Sequence, residues 1–240
     1  DEKALNYIYR NREGRDAVNG NKLVNDKRSW LYEQRAKFPF TSYDISITMT
    51  GLKTDMKGLA SIAAACRVNH DTKVVYQTGF VSDYGGYDAI MAAAHEIGHL
   101  LGMTHDNKKD GKCGFDDGYI MAPILKSKNT SWSWSPCSHS DFDNFISWEN
   151  KTCLYNKPRT NGVLPRLLPG KLLDGDEQCK RAGFLKAVLD EKTCLKLECV
   201  VESGELEVHR ISSDGAADGT TCGEGKICLR GLCRLERSVN

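Results

Sequence analysis

The sequence has almost no net charge: 33 lysines and arginines stand against 32 aspartates and glutamates, leaving +1 over 240 residues. Nucleic-acid binders and polybasic membrane-surface proteins depend on a basic excess, so no nucleic-acid partner is expected. No apolar run approaches the length that spans a bilayer, so no transmembrane segment is expected either. No signal-like segment opens the chain. Asp1-Glu2-Lys3 leads into mixed polar sequence, and any secretory signal or pro-segment is expected to have been removed or to lie outside this sequence. There is no CxxC…CxxC spacing, which argues against a thiolate zinc site. Internal repeats and low-complexity tracts are missing. Residues 171 to 233 hold no Arg-Gly-Asp tripeptide of the kind an integrin-binding loop would usually carry.

What remains is an ordinary globular composition, 40% hydrophobic and 27% charged, with enough length for one large domain or one medium and one small. Its ten cysteines are the informative part. Cys66, Cys113, Cys137 and Cys153 precede residue 160, and Cys179, Cys194, Cys199, Cys222, Cys228 and Cys233 follow it. Two even sets, either side of a proline-bearing seam, predict two regions that each close their own disulfides. Disulfides imply an oxidising compartment, hence secretion or the outer cell surface. The sequons at Asn129 and Asn150 would be glycosylation acceptors there.

Leu5, Ile8, Leu23, Trp30, Leu31 and Phe38 fit one face of one or two helices. Tyr43 to Met49 alternates, with Ile45, Ile47 and Met49 on one side, and predicts a half-buried strand that Gly51 ends. Leu59 to Cys66 is small and apolar, strand or helix. Val74 to Tyr76 is a short strand candidate. Tyr87 to Leu101 predicts an alanine-rich helix stopped by Gly102. A loop-rich stretch to about residue 136 and a helix over Asp141 to Trp148 follow. Pro158, Pro165 and Pro169 mark a linker over 157–170. The tail is too poor in large apolar residues to hold together without disulfides. These signals predict a first domain over 1–156, a linker over 157–170 and a cysteine-rich module over 171–240.

The chemistry sits in the run His95-Glu96-Ile97-Gly98-His99-Leu100-Leu101-Gly102-Met103-Thr104-His105. Histidines four apart on a helix stack on one face and reach one ion. Gly102 lets the backbone leave the helix and bring His105 back as a third ligand. Three protein ligands leave a fourth zinc position for water, the arrangement of a catalytic rather than a structural site. Glu96 then serves as the general base that activates the zinc-bound water and passes its proton to the leaving amine. By chance, five fixed residues including three histidines would occur in such a chain well under about once in ten thousand.

HExxHxxGxxH followed by Asp106, with Tyr119-Ile120-Met121-Ala122-Pro123 downstream, resembles the reprolysin (adamalysin) branch of the metzincin metalloproteases. Trp134-Ser135-Pro136-Cys137-Ser138, Phe145 and Cys153-Leu154 resemble the end of an ADAM-TS catalytic domain. Glu177-Gln178-Cys179, Cys194 to Cys199, Ala217 to Gly223 and Lys226 to Cys233 resemble the ADAM-TS disintegrin-like module. The secreted reprolysins of tick saliva are similar in layout. The resemblance covers about residues 41 to 240.

It implies an α/β (α+β) catalytic domain with a mixed sheet and a zinc helix, plus a small disulfide-rich C-terminal module. Also implied are Met121 as the Met-turn methionine, Asp106 as support for the local backbone, and Gly58-Leu59-Ala60 as the edge strand that pairs with substrate. It implies disulfides Cys66–Cys153 and Cys113–Cys137, and a calcium site from Asp44, the Cys153 carbonyl and the Asn156 side chain. An ordinary strand aspartate and loop asparagine would look the same. Two departures stand out: the tail has six cysteines where the module usually has eight, and no convincing first strand precedes the zinc helix.

The expected protein is a monomer acting on extracellular protein substrates. A competing reading from another class is a catalytically impaired binding protein that docks through its cysteine-rich tail. The intact Glu96 favours the enzyme. His70, His139 and His209 read as surface or loop histidines, and Trp132 and Trp134 as buried loop anchors rather than a recognition patch.

Overall fold

In a computed structural model, residues 5–107, 113–124, 126–149, 151–156, 167–203, 205–210 and 215–236 are described. The chain divides into two compact units, one formed by residues 1–83, 92–104 and 136–159, the other by 84–91, 105–135 and 160–240. No helix among the described residues is long and apolar enough to cross a membrane.

The first unit runs α1 (Asn6–Tyr9), β1 (Arg12–Glu13), β2 (Ala17–Val18), α2 (Gly20–Glu33), β3 (Ser46–Thr50), β4 (Lys53–Thr54), β5 (Gly58–Ala60), β6 (Val68–Asn69), β7 (Val74–Val75) and β8 (Thr78–Ser82). To it belong most of α3 (Ile90–Leu100) and α4 (Pro136–Ile146). The sheet that matters for function is mixed. Its order is β3-β8-β5, with β3 parallel and β5 antiparallel to β8.

Helix α2 packs Leu23, Val24, Trp30 and Leu31 into a core with Tyr7, Val18, Val75 and Phe80. Asn19 caps it, accepting from the Lys22 N–H at 3.1 Å. The same apolar face buries Lys27, which the hydrophobic pattern of α2 does not announce. Its ammonium donates to the Ser46 carbonyl at 3.0 Å and the Gly79 carbonyl at 3.1 Å, tying α2 to both parallel strands.

Burial pulls the Lys27 pKa down from 10.5 to about 7. A depressed amine binds fewer protons in the folded than in the unfolded chain, so the first unit gains stability as pH rises from about 7 towards 10.5. Between pH 7 and 9 the gain should be on the order of 2 kcal/mol. Denaturant unfolding of the parent and of Lys27→Met across that range checks it. The parent's stability should rise more steeply, and equal slopes would contradict the assignment.

Three sequence expectations need correction. Strand β3 forms, but its buried face is the polar one. Thr48 and Thr50 are buried and Met49 is 58% exposed, because the Tyr7 hydroxyl meets the Thr48 hydroxyl at 3.0 Å on the inner side. The zinc helix begins at Ile90 rather than Tyr87, because Tyr87 has φ +69, outside the helical region. The later helix starts earlier than expected, at Pro136, whose fixed φ suits a first helical position. Of the Leu59 to Cys66 stretch only Leu59 and Ala60 are strand, as the end of Gly58–Ala60, and Ala63 and Cys66 then turn at positive φ. As for the front of the chain, the described residues before α2 hold α1 and two strands of two residues each.

The second unit holds α5 (Pro169–Leu172), α6 (Gly175–Arg181), β9 (Lys186–Val188), β10 (Glu198–Ser203), β11 (Glu205–Arg210), β12 (Thr221–Gly223), β13 (Lys226–Leu229) and β14 (Leu232–Leu235). The strands form two three-stranded sheets, β11-β10-β9 and β12-β13-β14. Its core is largely sulfur. Cys179–Cys199, Cys194–Cys228 and Cys222–Cys233 bridge around Leu197 and Ala216. Gln178 is buried with its amide satisfied: Nε2 donates to the Leu173 carbonyl and the Thr220 hydroxyl, and Oε1 accepts from the Ala217 N–H. The expected linker over 157–170 lies outside the described residues up to 166.

Candidate metalloprotease site

The alanine-rich run Ile90–Leu100 is helical by propensity, and His95 and His99 fall one turn apart on it, ring centroids 4.7 Å apart. Both are buried. The His99 Nδ1–H donates to the Met103 carbonyl at 2.9 Å, which leaves Nε2 as the lone-pair nitrogen. Gly102 has φ +93, and a Cβ there would lie 2.5 Å from the Phe145 Cβ, so both backbone and packing require glycine at the exit from the helix. Thr104 then donates through its N–H and its hydroxyl to one Asp141 oxygen, at 2.9 and 2.8 Å. The outcome is a nitrogen donor set: ligand atoms of His95, His99 and His105 all lie within 4.8 Å of one another. Burial holds the His105 pKa below its ordinary value, against the opposing pull of Asp106, and favours the neutral, metal-binding imidazole.

The last carbonyls of α3, orphans at most helix ends, find partners in the segment after β5. Ala63 N–H donates to the His99 carbonyl at 2.8 Å, and Ala64 and Ala65 donate to that of Leu100 at 3.0 and 2.9 Å.

Glu96 is buried, and no hydrogen bond reaches its Oε2. Burial pushes its carboxyl up to about 7, and a cation bound by the neighbouring imidazoles would pull it back down. Its carboxylate faces Gly58: a Cβ there would sit 2.6 Å from Oε1. Strand β5, with Gly58, Leu59 and Ala60, is an edge of the three-stranded sheet. The glutamate therefore meets the sheet edge at its one residue without a side chain. Sequence reading placed Gly58 in that edge but not against Glu96, and a lone glycine three residues before Ser61 carries no signal of such a contact.

Asp106 is buried. Its N–H donates to the Met121 carbonyl at 2.9 Å and its Oδ1 accepts from the Ser135 hydroxyl at 2.6 Å, so it ties the fully buried Met121 turn to a later loop. Cys66 and Cys153 are bridged, and the Cys66 N–H donates to the Asp44 carbonyl at 3.3 Å, which sets Asp44 beside that bridge; Asn156 is exposed three residues on. Cys113 and Cys137 are both disulfide-bonded, and no described cysteine is free. Asn129 is exposed, while Asn150 lies outside the described residues. His70 is exposed, as expected, and sits edge-on to Tyr32 and Phe40. His139 is exposed, and the His209 side chain is not described. Trp132 is half-buried with its indole against Gly231.

A histidine donor set with a buried carboxylate next to it, on a mixed α/β scaffold, is an arrangement that fits a metalloprotease of the metzincin type. Residues 22–158 match the model of the Reprolysin (M12B) family of zinc metalloproteases, and the chain belongs to that family. Residues 169–234 match the ADAMTS cysteine-rich domain 2. Among curated relatives, "A disintegrin and metalloproteinase with thrombospondin motifs like" of Bombyx mori is 36% identical over 258 residues, covering 97% of this chain and 36% of the relative. "A disintegrin and metalloproteinase with thrombospondin motifs 1" of Rattus norvegicus is 34% identical over 205 residues, covering 80% of this chain and 20% of the relative. The corresponding protein 5 of Bos taurus is 36% identical over 151 residues, 60% of this chain and 72% of that sequence. The chain thus spans about a third or less of the length of the first two.

Proposed function

We propose that this chain is a secreted zinc-dependent metalloendopeptidase that hydrolyses peptide bonds of extracellular proteins. The observation that carries the reading is the Glu96 carboxylate, buried beside the donor set and facing the edge strand at Gly58. His95, His99 and His105 would hold the zinc, an ion that three converging imidazole nitrogens fit. When bound, that ion supplies Lewis acidity to the attacking water and the scissile carbonyl. Glu96 takes the proton from the water and returns it to the leaving amine. Strand β5 offers its free backbone edge to an extended peptide, which explains how many sequences would be accepted. Asp106 and Met121 form the supporting turn.

Secretion is supported by the disulfides, because oxidised thiols persist outside the cytosol. In this reading residues 1–156 carry catalysis, 157–170 connect, and 171–240 steer substrate. The calcium site of Asp44, Cys153 and Asn156 belongs to the same reading, supported by the closeness of Asp44 to the Cys66–Cys153 bridge. Against it stands Lys151, which shares a cavity with Cys66.

Incubation of the full chain with a denatured protein, with and without a zinc chelator, tests the proposal. Cleavage should stop on chelation and return with added zinc, and cleavage indifferent to the chelator would remove zinc from the account. In parallel, the thermal midpoint should rise with calcium. A midpoint that ignores both calcium and its chelator would remove the calcium site.

Gly58→Ala supplies a sharper check on geometry. Its Cβ would displace the Glu96 carboxylate, so kcat should fall about 10- to 100-fold with zinc content unchanged. Full activity would show that Glu96 tolerates displacement.

A further inference from the structure

Apart from the catalytic residues, the first unit gathers cations with no acid to meet them. A cavity of about 500 Å³ is lined by Ala63, Cys66, Arg67, Val68, Trp148 and Lys151. Lys151 is 2% exposed. Its ammonium donates to the Ala65 carbonyl at 3.2 Å and lies 4.5 Å from the Phe145 ring centre and 5.4 Å from that of Trp148. Arg67, exposed at the cavity wall, stacks 4.4 Å over Tyr76, and Arg28 lies 5.5 Å from the same ring centre. Burial first, and Arg67 second, lower the Lys151 pKa. No ion pair joins Arg28, Arg67 or Lys151 to a carboxylate among the described residues.

Buried charges are normally paired, because an ammonium out of water needs a counter-charge or several acceptors. Here one carbonyl and two ring faces serve a group with three N–H donors. The second cation makes the deficit worse. An anion in the cavity would accept from Lys151 and Arg67 at once and remove their mutual repulsion. The volume is larger than an inorganic anion requires and falls in the range of small-molecule sites. Trp148, 45% exposed on the wall, presents an amphipathic ring of the kind on which a sugar face stacks.

We propose that this cavity binds the oxyanion ester of a sugar, its sulfate or phosphate group held between Lys151 and Arg67 and its ring against Trp148. The site lies in the catalytic unit but does not depend on proteolysis. Binding is read on the full chain by tryptophan fluorescence and thermal shift, with glucose 6-sulfate, glucose 6-phosphate and neutral glucose as probes. At least one ester should bind saturably, and which one binds more tightly distinguishes the two sources. Glucose should not bind, and Arg67→Gln should weaken the ester roughly tenfold or more with an unchanged fold by circular dichroism. Arg67→Lys, which keeps the charge, should recover part of the loss. No saturable response to either ester, equal responses to ester and glucose, or an Arg67→Gln chain that binds like the parent would each overturn the proposal.

Discussion

Glu96→Gln is expected to lower kcat by about 10²- to 10⁴-fold while leaving zinc content and KM near the parent values. The two side chains are nearly isosteric, so the amide fits the space that Gly58 leaves open. What it loses is the ability to take a proton. Glu96 is not in the histidine donor set, so metal retention separates this variant from one that has lost its site. Steady-state kinetics on a peptide substrate, with zinc measured on the same preparation, checks it. A glutamine variant within a factor of a few of the parent would place the base elsewhere.

The second large effect concerns stability. Cys66–Cys153 joins residues 87 apart in sequence. Loop-closure entropy for that separation gives the bridge about 4 to 5 kcal/mol in the chain-entropy account. It also anchors the segment whose Ala63, Ala64 and Ala65 amides cap the end of α3. Cys66→Ala with Cys153→Ala should therefore lower the thermal midpoint of the first unit by roughly 10 °C or more. Activity should fall with it, since the loosened cap holds the carbonyls of His99 and Leu100. An unchanged midpoint would mean that packing around Phe145 and Lys151 alone holds the two segments together.

The residues of the donor set were legible because metal chemistry needs few residue types at fixed spacing, and His95, Glu96, His99, Gly102 and His105 stand in one stretch. The family followed from flanking strings, and the mixed sheet with it. Less legible was anything decided by contacts between distant segments. Strand β3 alternates as a half-buried strand should, yet Tyr7, 41 residues away, draws its threonine face inward. Helix α3 starts late because Tyr87 adopts a left-handed backbone that composition does not signal. No sequence signal marks Lys27 as buried, because its two carbonyl partners, Ser46 and Gly79, lie on distant strands. Even cysteine counts announced a self-contained tail, but six cysteines allow fifteen pairings, and only the fold selects Cys179–Cys199, Cys194–Cys228 and Cys222–Cys233.

Three histidines and Glu96 are proposed to make a zinc peptidase of this chain. The most direct measurement is the cleavage of a denatured protein by the parent and Glu96→Ala side by side, each shown by metal analysis to carry one zinc. Zinc-dependent cleavage by the parent and loss of nearly all of it in the variant are the expected results. A fully zinc-loaded, folded parent that cuts nothing, or a variant that cuts as fast as the parent, would contradict the proposal.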